Sequence, residues 1–493
     1  MWMLTVSCMA VALVVSAMAA LNTALGDIAR DTGATQAQLT WIVDGYTLTL
    51  ACLLLPAGAL GDRYGRRRML VLGLLLFGAA STMPILVDSP EWLIATRGAA
   101  GVGAALVMPA TLALITAEFD PHTRSRAVGI WAGVAGSGAV AGLLTSGLLL
   151  ELWSWHSIFF ALALVSVVVT VLACTLRPSS APTADPFDVP GAVLIAAAVA
   201  LFVFGVIEGP ARGWSHPLVL IGLVAGLAAA GAFAVVESRR SHPLLDVRLF
   251  RGRAFAVGSV SLLLQFLATF GLFFLIVQYL QLVLDYSPLQ SAVALAPIAA
   301  PVLVLSVLSP WLLRLVGLRV LTAAGLTVLS ASLFLLTRLG IDSDYIDVAV
   351  PLVIAAIGIG LCTAPATSAI VSNTPEDKQG VASAVNDAAR EIGAAIGVAL
   401  AGSVLAVGYS RSIEPTAAMA PPEAQQAIGD SLASSLAVAE MTGPQGARLE
   451  TLAREAFVSG MHEASIALGV VLNFAAALTA AWAPSRKAQR ILV

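Results

Sequence analysis

Two carboxylates, Asp387 and Glu391, stand one helical turn apart inside Gly380 to Leu405, an apolar stretch long enough to cross a membrane. A charge at the bilayer centre costs about 2.5–3.5 kcal/mol on insertion scales, so such groups must be paired, protonated or wetted by a cavity. The chemistry that suits them is loading and releasing a proton, or attracting a cation. Arg390 sits beside Glu391 in sequence, about 100° round the helix from it. It either neutralises an acid of a neighbouring helix, a purely structural role, or belongs to a proton-handling group with Asn386 and the two acids. Asp44 stands alone in another apolar stretch, some six residues from the outer end of its span. It either hydrogen-bonds Tyr46 or a helix end, or forms a second proton or cation site.

These residues must be held by elements that the composition largely dictates. The chain has 493 residues, is 59% hydrophobic and 11% charged, and has a mean hydropathy of +0.92. A soluble domain carries about twice that charge. The four cysteines lie in or at the ends of apolar runs and read as small core residues, with no pairing or metal spacing. His122, His156, His216, His242 and His462 are scattered near loops. No nucleophile–base constellation, metal spacing or phosphate loop is present, so an enzyme is not expected. Nor is a cofactor, a metal or a nucleic-acid partner. The first apolar run, Met3 to Leu25, lacks a basic leader and a clear cleavage site, and reads as a retained helix.

A helix rising 1.5 Å per residue needs about 20 apolar residues to cross the hydrocarbon core. Runs of that kind start near Met3, Leu39, Met69, Trp92, Val128, Ser157, Val189, Pro217, Ala254, Pro288, Gly317, Val348, Val381 and Gly460, which makes fourteen expected spans. Arginine and lysine orient them. With the N-terminus inside, the inner loops hold three times the basic residues of the outer ones, from Arg63, Arg66, Arg67 and Arg68 to Lys378, Arg486, Lys487 and Arg490. Both termini are then cytoplasmic. One long polar loop, at about 409–455, lies outside.

A weak internal repeat links two loops. Gly58-Ala-Leu-Gly-Asp62-Arg63-Tyr-Gly65-Arg66-Arg67-Arg68 follows span 2, and a degraded counterpart, Pro310-Trp-Leu-Leu-Arg314-Leu-Val-Gly317-Leu-Arg319, follows span 10. The expected fold is an all-α membrane protein. It has a six-helix bundle over 1–176, two inserted helices with linkers over 177–253, and a second six-helix bundle over 254–493. Parallel halves of this kind place a substrate site near the midplane between them.

The loop Gly58–Leu70 resembles the G-x-L-a-D-R-x-G-R-[KR]-x-x-L signature of the major facilitator superfamily. Its chemistry is also readable directly. Gly58 allows close helix packing, Gly65 a tight turn, and Asp62 can face a helix N-terminus. Arg97, in Thr96-Arg97-Gly-Ala-Ala-Gly101, resembles the fourth-helix R-x-x-x-G motif. It either snorkels to the outer interface or is buried against polar groups of helix 1. The fourteen spans, Trp41-Ile-Val-Asp44-Gly-Tyr46 and Pro243-Leu-Leu-Asp246 are similar to the 14-span drug:proton antiporter branch, and more narrowly to bacterial quaternary-ammonium and multidrug efflux pumps.

That resemblance implies proton-coupled efflux of amphipathic, cationic or neutral compounds from the bacterial cytoplasmic membrane by alternating access. It implies protons, a small amphipathic substrate and membrane lipid as partners, and a monomer. Asp44, Asp387, Glu391 and Arg97 would then carry the coupling. Asn22, Gln265 and Gln278 are further polar cavity candidates, with Trp41 and Phe270 as aromatic walls. Two departures matter. Ala17 stands where the branch has a helix 1 acid, and Gly142-Leu143-Leu-Thr-Ser146-Gly147 lacks the proline of its helix 5 motif, so helix 5 should be less kinked. The lost acid fits an alternative, a dedicated exporter of one neutral or acidic metabolite. A non-transporting sensor or scaffold is a second alternative, disfavoured by the nearly intact first loop.

Overall fold

The computed structural model describes residues 1–34, 36–87, 89–177, 187–442 and 446–484. Among them every regular element is helical, as expected where backbone groups in lipid must bond internally. In chain order the helices are α1 (Trp2–Ala20), α2 (Leu25–Thr32), α3 (Gln36–Tyr64), α4 (Arg66–Thr82), α5 (Pro90–Glu118) and α6 (Pro121–Leu152). There follow α7 (His156–Cys174), α8 (Val189–Arg212), α9 (Pro217–Arg239), α10 (Arg253–Gln278), α11 (Pro288–Leu295) and α12 (Ala299–Leu335). The chain continues through α13 (Tyr345–Ser372), α14 (Gln379–Ala417), α15 (Pro422–Asp430), α16 (Leu432–Met441) and α17 (Ala447–Trp482). Several start at sequence-coded caps. Ser89 and Asp188 accept the Trp92 and Gly191 amides, and proline occupies the first turn of α5 and α8.

Among the described residues thirteen helical segments are long and apolar enough to cross a membrane. The 49-residue segment Pro288–Leu336 is the one that differs from the sequence expectation of two spans. It is not straight. Gly317 breaks it with φ 81° and ψ 166°, separating arms 299–316 and 318–335 of α12. Gly65 turns the chain between α3 and α4 in the same region of φ, at 101°. The repeat thus has a structural counterpart, because both halves turn on a glycine at the matching motif position. The packing repeats too. Gly73 meets the Gly103 carbonyl and Gly325 the Gly358 carbonyl, each eight residues beyond its turn glycine (65 to 73, 317 to 325). With ψ at 125° and 166°, both lie in or beside a positive-φ region that is essentially glycine's alone, where an L-residue costs roughly 1–3 kcal/mol. Gly65→Ala and Gly317→Ala should each lower stability by about that amount, read as an earlier thermal unfolding midpoint in detergent.

The segment expected as a long outer loop is mostly helix. α14 runs on to Ala417, α15 and α16 follow, and α17 starts at Ala447. Tyr409 ties this cap down, its hydroxyl meeting Ser435 Oγ at 2.6 Å and the Ile428 carbonyl at 3.1 Å. α6 is continuous over 32 residues. Cys362 is buried, but Cys174 is exposed at a helix end and is not a core residue.

Two seams join the halves. On one, α6 lies along α11 and α12. A side chain at Gly129 would run into the Ser306 carbonyl, and one at Gly147 would meet Leu289. On the other, α3 lies along α14, with Gly58 against Gly380 and Ala384. The inserted helix α8 packs on both α3 and α14, so it covers this second seam from outside. Trp214, just past α8, donates to Ser403 of α14 at 2.9 Å.

Candidate functional site

The end of the bundle that carries the first-loop motif, here the arginine face, is closed by Asp62. Its carboxylate accepts the Gly380 and Val381 amides at 2.9 and 3.1 Å, capping the first turn of α14 across the seam. Arg66 Nε and Nη2 hold the same carboxylate at 3.1 and 3.0 Å, while Arg66 also donates to the Ala113 and Glu376 carbonyls. Arg67 bonds the Cys174 carbonyl, and Arg63 stacks over Tyr64. Each charge-assisted bond contributes about 1.5–3 kcal/mol. Asp62→Ala should therefore open this face. Thiol labelling at the seam, with Ala384→Cys as the reporter, should rise several-fold over the parent that keeps Asp62.

From that anchor α14 carries its polar residues inward. Asn386 and Asp387 are fully buried, and Arg390 and Glu391 nearly so, at 4% and 5% exposure. Arg390 Nη1 lies 3.5 Å from Asp387 Oδ1, which Asn386 Nδ2 also approaches at 3.1 Å. Among the described ion pairs Arg390 thus pairs within its own helix. Its guanidinium lies over the rings of Phe266 (4.7 Å) and Trp131 (5.6 Å), a cation–π setting that shields it from lipid. Trp131 belongs to α6 in the other half, so the group bridges the halves. Thr367 donates to Asn386 at 2.8 Å, and Thr363 to Gln265 at 2.8 Å. Asp387 Oδ2, Glu391 Oε2 and Arg390 Nε are buried without a hydrogen-bond partner.

A cavity of about 30 Å³ adjoins this group. Gln265, Phe266, Phe270, Thr363, Arg390 and Glu391 line it on the C-terminal side, with Val15, Met18 and Ala135 opposite. That volume holds about two waters and no drug-sized guest. On α3, Tyr46 donates its hydroxyl to the Val14 carbonyl at 3.0 Å. Arg97 is 2% exposed and lies over the Tyr46 ring at 4.2 Å. It donates to the Ile42 and Ala17 carbonyls at 3.1 and 3.2 Å. Arg97 is therefore buried and not snorkelling. At the position of the missing acid it meets backbone, and among the described ion pairs it has none.

The remaining sequence candidates fall elsewhere. Asp44 is partly exposed on α3, makes no hydrogen bond or ion pair among the described residues, and does not bond Tyr46. Glu208 of α8, on the helix that packs against α3, is paired with Arg212. Trp41 packs on Phe204 at 6.1 Å, outside the cavity. Gln278 donates to the Phe274 carbonyl of its own helix at 3.3 Å. The Asn22 side chain, and Arg486, Lys487 and Arg490, lie outside the described residues. Trp131, Phe266, Thr363 and Thr367 escape sequence reasoning because nothing in an apolar run marks which faces meet.

A sequence profile of the Major Facilitator Superfamily matches residues 7–398. The chain belongs to the Major Facilitator Superfamily. Relatives within the superfamily include the multidrug resistance protein Stp of Mycobacterium tuberculosis, 35% identical over 82% of this chain and 76% of that one. The methyl viologen resistance protein SmvA of Salmonella typhimurium is 31% identical over 95% of each chain. The crystal structure of the human organic anion transporter MFSD10 superposes with a TM-score of 0.66 over 97% of this chain and 99% of that one. At 13% identity this likeness speaks for the superfamily fold alone. The protein is a multi-pass membrane transporter of this superfamily. Its curated relatives are multidrug and antibiotic resistance proteins, which implies small-molecule substrates.

Proposed function

We propose that this transporter is a fourteen-span proton-coupled exporter of amphipathic compounds, with lipophilic monocations and neutral molecules as its class. The observation that carries the reading is the α14 group. Two buried carboxylates stand beside a small cavity with one arginine, which pairs with Asp387, and each acid keeps an oxygen without a partner. One acid exceeds the available base, so either a proton or a cationic guest completes the balance. Competition between the two for Glu391 and Asp387 is the coupling, since each ligand is bound best where the other is absent. The break at Gly317 supports counting Pro288–Leu336 as two crossings.

Fourteen crossings put both termini on the arginine face. The excess of basic residues assigns that face to the cytoplasm of a bacterial plasma membrane. The closed Asp62 contact then corresponds to an inner gate, and export requires it to open to load substrate. Asp44, at the α3–α8 seam, serves as a second proton or cation site. Arg97 holds α1 and α3 together at Tyr46, and the transporter acts as a monomer.

One observation favours a second reading. Without a carboxylate at Ala17, the N-terminal side offers the cavity no acid, only Val15, Met18, Ala135, Gly136 and Ala139. That suits a neutral or acidic metabolite better than a dication such as methyl viologen. Cells expressing the protein separate the readings. Energised export of a lipophilic cationic dye, lost when the proton gradient is collapsed, supports the first. Absence of dye export from cells with verified expression overturns it in favour of the dedicated exporter.

A further inference from the structure

Away from the midplane, a second pair of acids is buried at the base of the inserted α8–α9 hairpin. Asp188 caps α8, accepting the Gly191 amide at 2.9 Å, and Arg240 Nη1 holds the same Oδ1 at 2.6 Å. Glu237, in the last turn of α9, accepts the Leu245 amide on Oε2 at 3.0 Å. Both residues are more than nine-tenths buried, at 6% and 2% exposure. The other two oxygens, Asp188 Oδ2 and Glu237 Oε1, have no donor. They converge on one niche, since a side-chain carbon at Gly191 would lie 2.7 Å from the first and 2.5 Å from the second. Each acid has spent one oxygen on the protein's donors and turned the other to its fellow. Two ionised carboxylates do not share such a niche, whereas a carboxylic acid donates to a carboxylate there without strain.

We propose that Asp188 and Glu237 bind a single shared proton, and that this proton fastens the base of the α8–α9 hairpin to the arginine face. Nothing in the transport reading uses this pair, and the proposal stands without that reading. The path to the closed face is short. Glu237 orders the turn that carries Leu244 and Leu245, both buried in the core. The preceding residue, Pro243, receives Lys378 Nζ on its carbonyl at 3.1 Å. Lys378 immediately precedes α14, whose first amides Asp62 caps. A cavity of about 80 Å³ separates these parts, lined by Asp62, Arg63, Asp188, His242, Asp377 and Lys378. The charged groups facing the pair are therefore Arg240 directly, His242 from the turn, and Asp62, Arg63, Asp377 and Lys378 across the cavity. Arg248, from the following turn, bonds the Ser238 carbonyl of α9.

The direction of the pH effect follows. A proton bound in the closed arrangement and released on opening stabilises closure fully at acid pH. Opening then becomes easier by about tenfold per pH unit until the pair is empty. Arg240 alone keeps Asp188 paired above that point, and Glu237 is the acid left opposed.

Hydrogen exchange on the full-length protein in detergent tests this, following the segment with the Leu245 amide and correcting for intrinsic pH dependence. Wild type should lose protection there as pH rises. Glu237→Gln, whose amide donates permanently to Asp188, should keep it at every pH. Asp188→Asn provides the same donor from the other side and carries the test if the first variant does not fold. Gly191→Ala should abolish the protection even at acid pH. Matching pH profiles for wild type and both amide variants would overturn the proposal. So would protection that responds to calcium, magnesium or a chelator, which assigns the niche to a metal ion.

Discussion

Glu391→Gln and Asp387→Asn should each reduce pH-gradient-driven efflux in vesicles by about 5–150-fold, the range spanned by a coupling free energy of about 1–3 kcal/mol. Both keep the size of the side chain and remove only its charge. The two should differ in kind. Glu391 lines the cavity and has an unpartnered oxygen. Its loss should weaken cation binding as well as coupling. Asp387 lies deeper in the arginine pair and is held by Asn386. Its loss should weaken binding less than the loss of Glu391 and remove the response to pH. Dye fluorescence in inverted vesicles, with equilibrium binding measured alongside, separates these outcomes. Full gradient-driven efflux in both variants contradicts the assignment.

Arg390→Leu should be the most destabilising single change at the site. It leaves Asp387 fully buried with only Asn386 for company, and removing one partner of a buried pair costs about 3–5 kcal/mol. Adding Asp387→Asn should return most of that loss, because the orphaned charge is gone. The comparison is a double-mutant cycle read by thermal unfolding. Near-additive losses would mean that Arg390 acts through its stack on Phe266 and Trp131, or through Glu391, and not chiefly through Asp387.

Much of this site was legible in the sequence because intramembrane charges are rare, so each one stands out. Asp387, Arg390, Glu391 and Arg97 are visible that way, and the structure buries all four, with Arg97 over the Tyr46 ring. Asp62 was legible as a helix-end ligand. Its partners, the first amides of α14 more than 300 residues away, were not. What escaped was whatever depends on which apolar face meets which. Trp131 and Phe266 look like any lipid-facing aromatics until packing sets them round a guanidinium. α8 is apolar on all sides, and such a helix does not announce whether lipid or another helix covers it. The 409–455 stretch reads as loop from its polarity. Its alanines, glutamines and glutamates are nevertheless good helix formers, and Ser431 caps α16 by accepting the Ser434 amide. The hairpin acids Asp188 and Glu237 read as loop charges at the ends of spans, and only Gly191 reveals that they share one niche.

The central claim is that a guest and a proton compete for the α14 acids. Proton release on substrate binding, measured with purified protein in weakly buffered detergent, tests it most directly. Tetraphenylphosphonium added to the wild type should release protons in proportion to binding. The Asp387→Asn, Glu391→Gln double variant should release none. Equal release from both proteins, or wild-type binding with no release, would contradict the account.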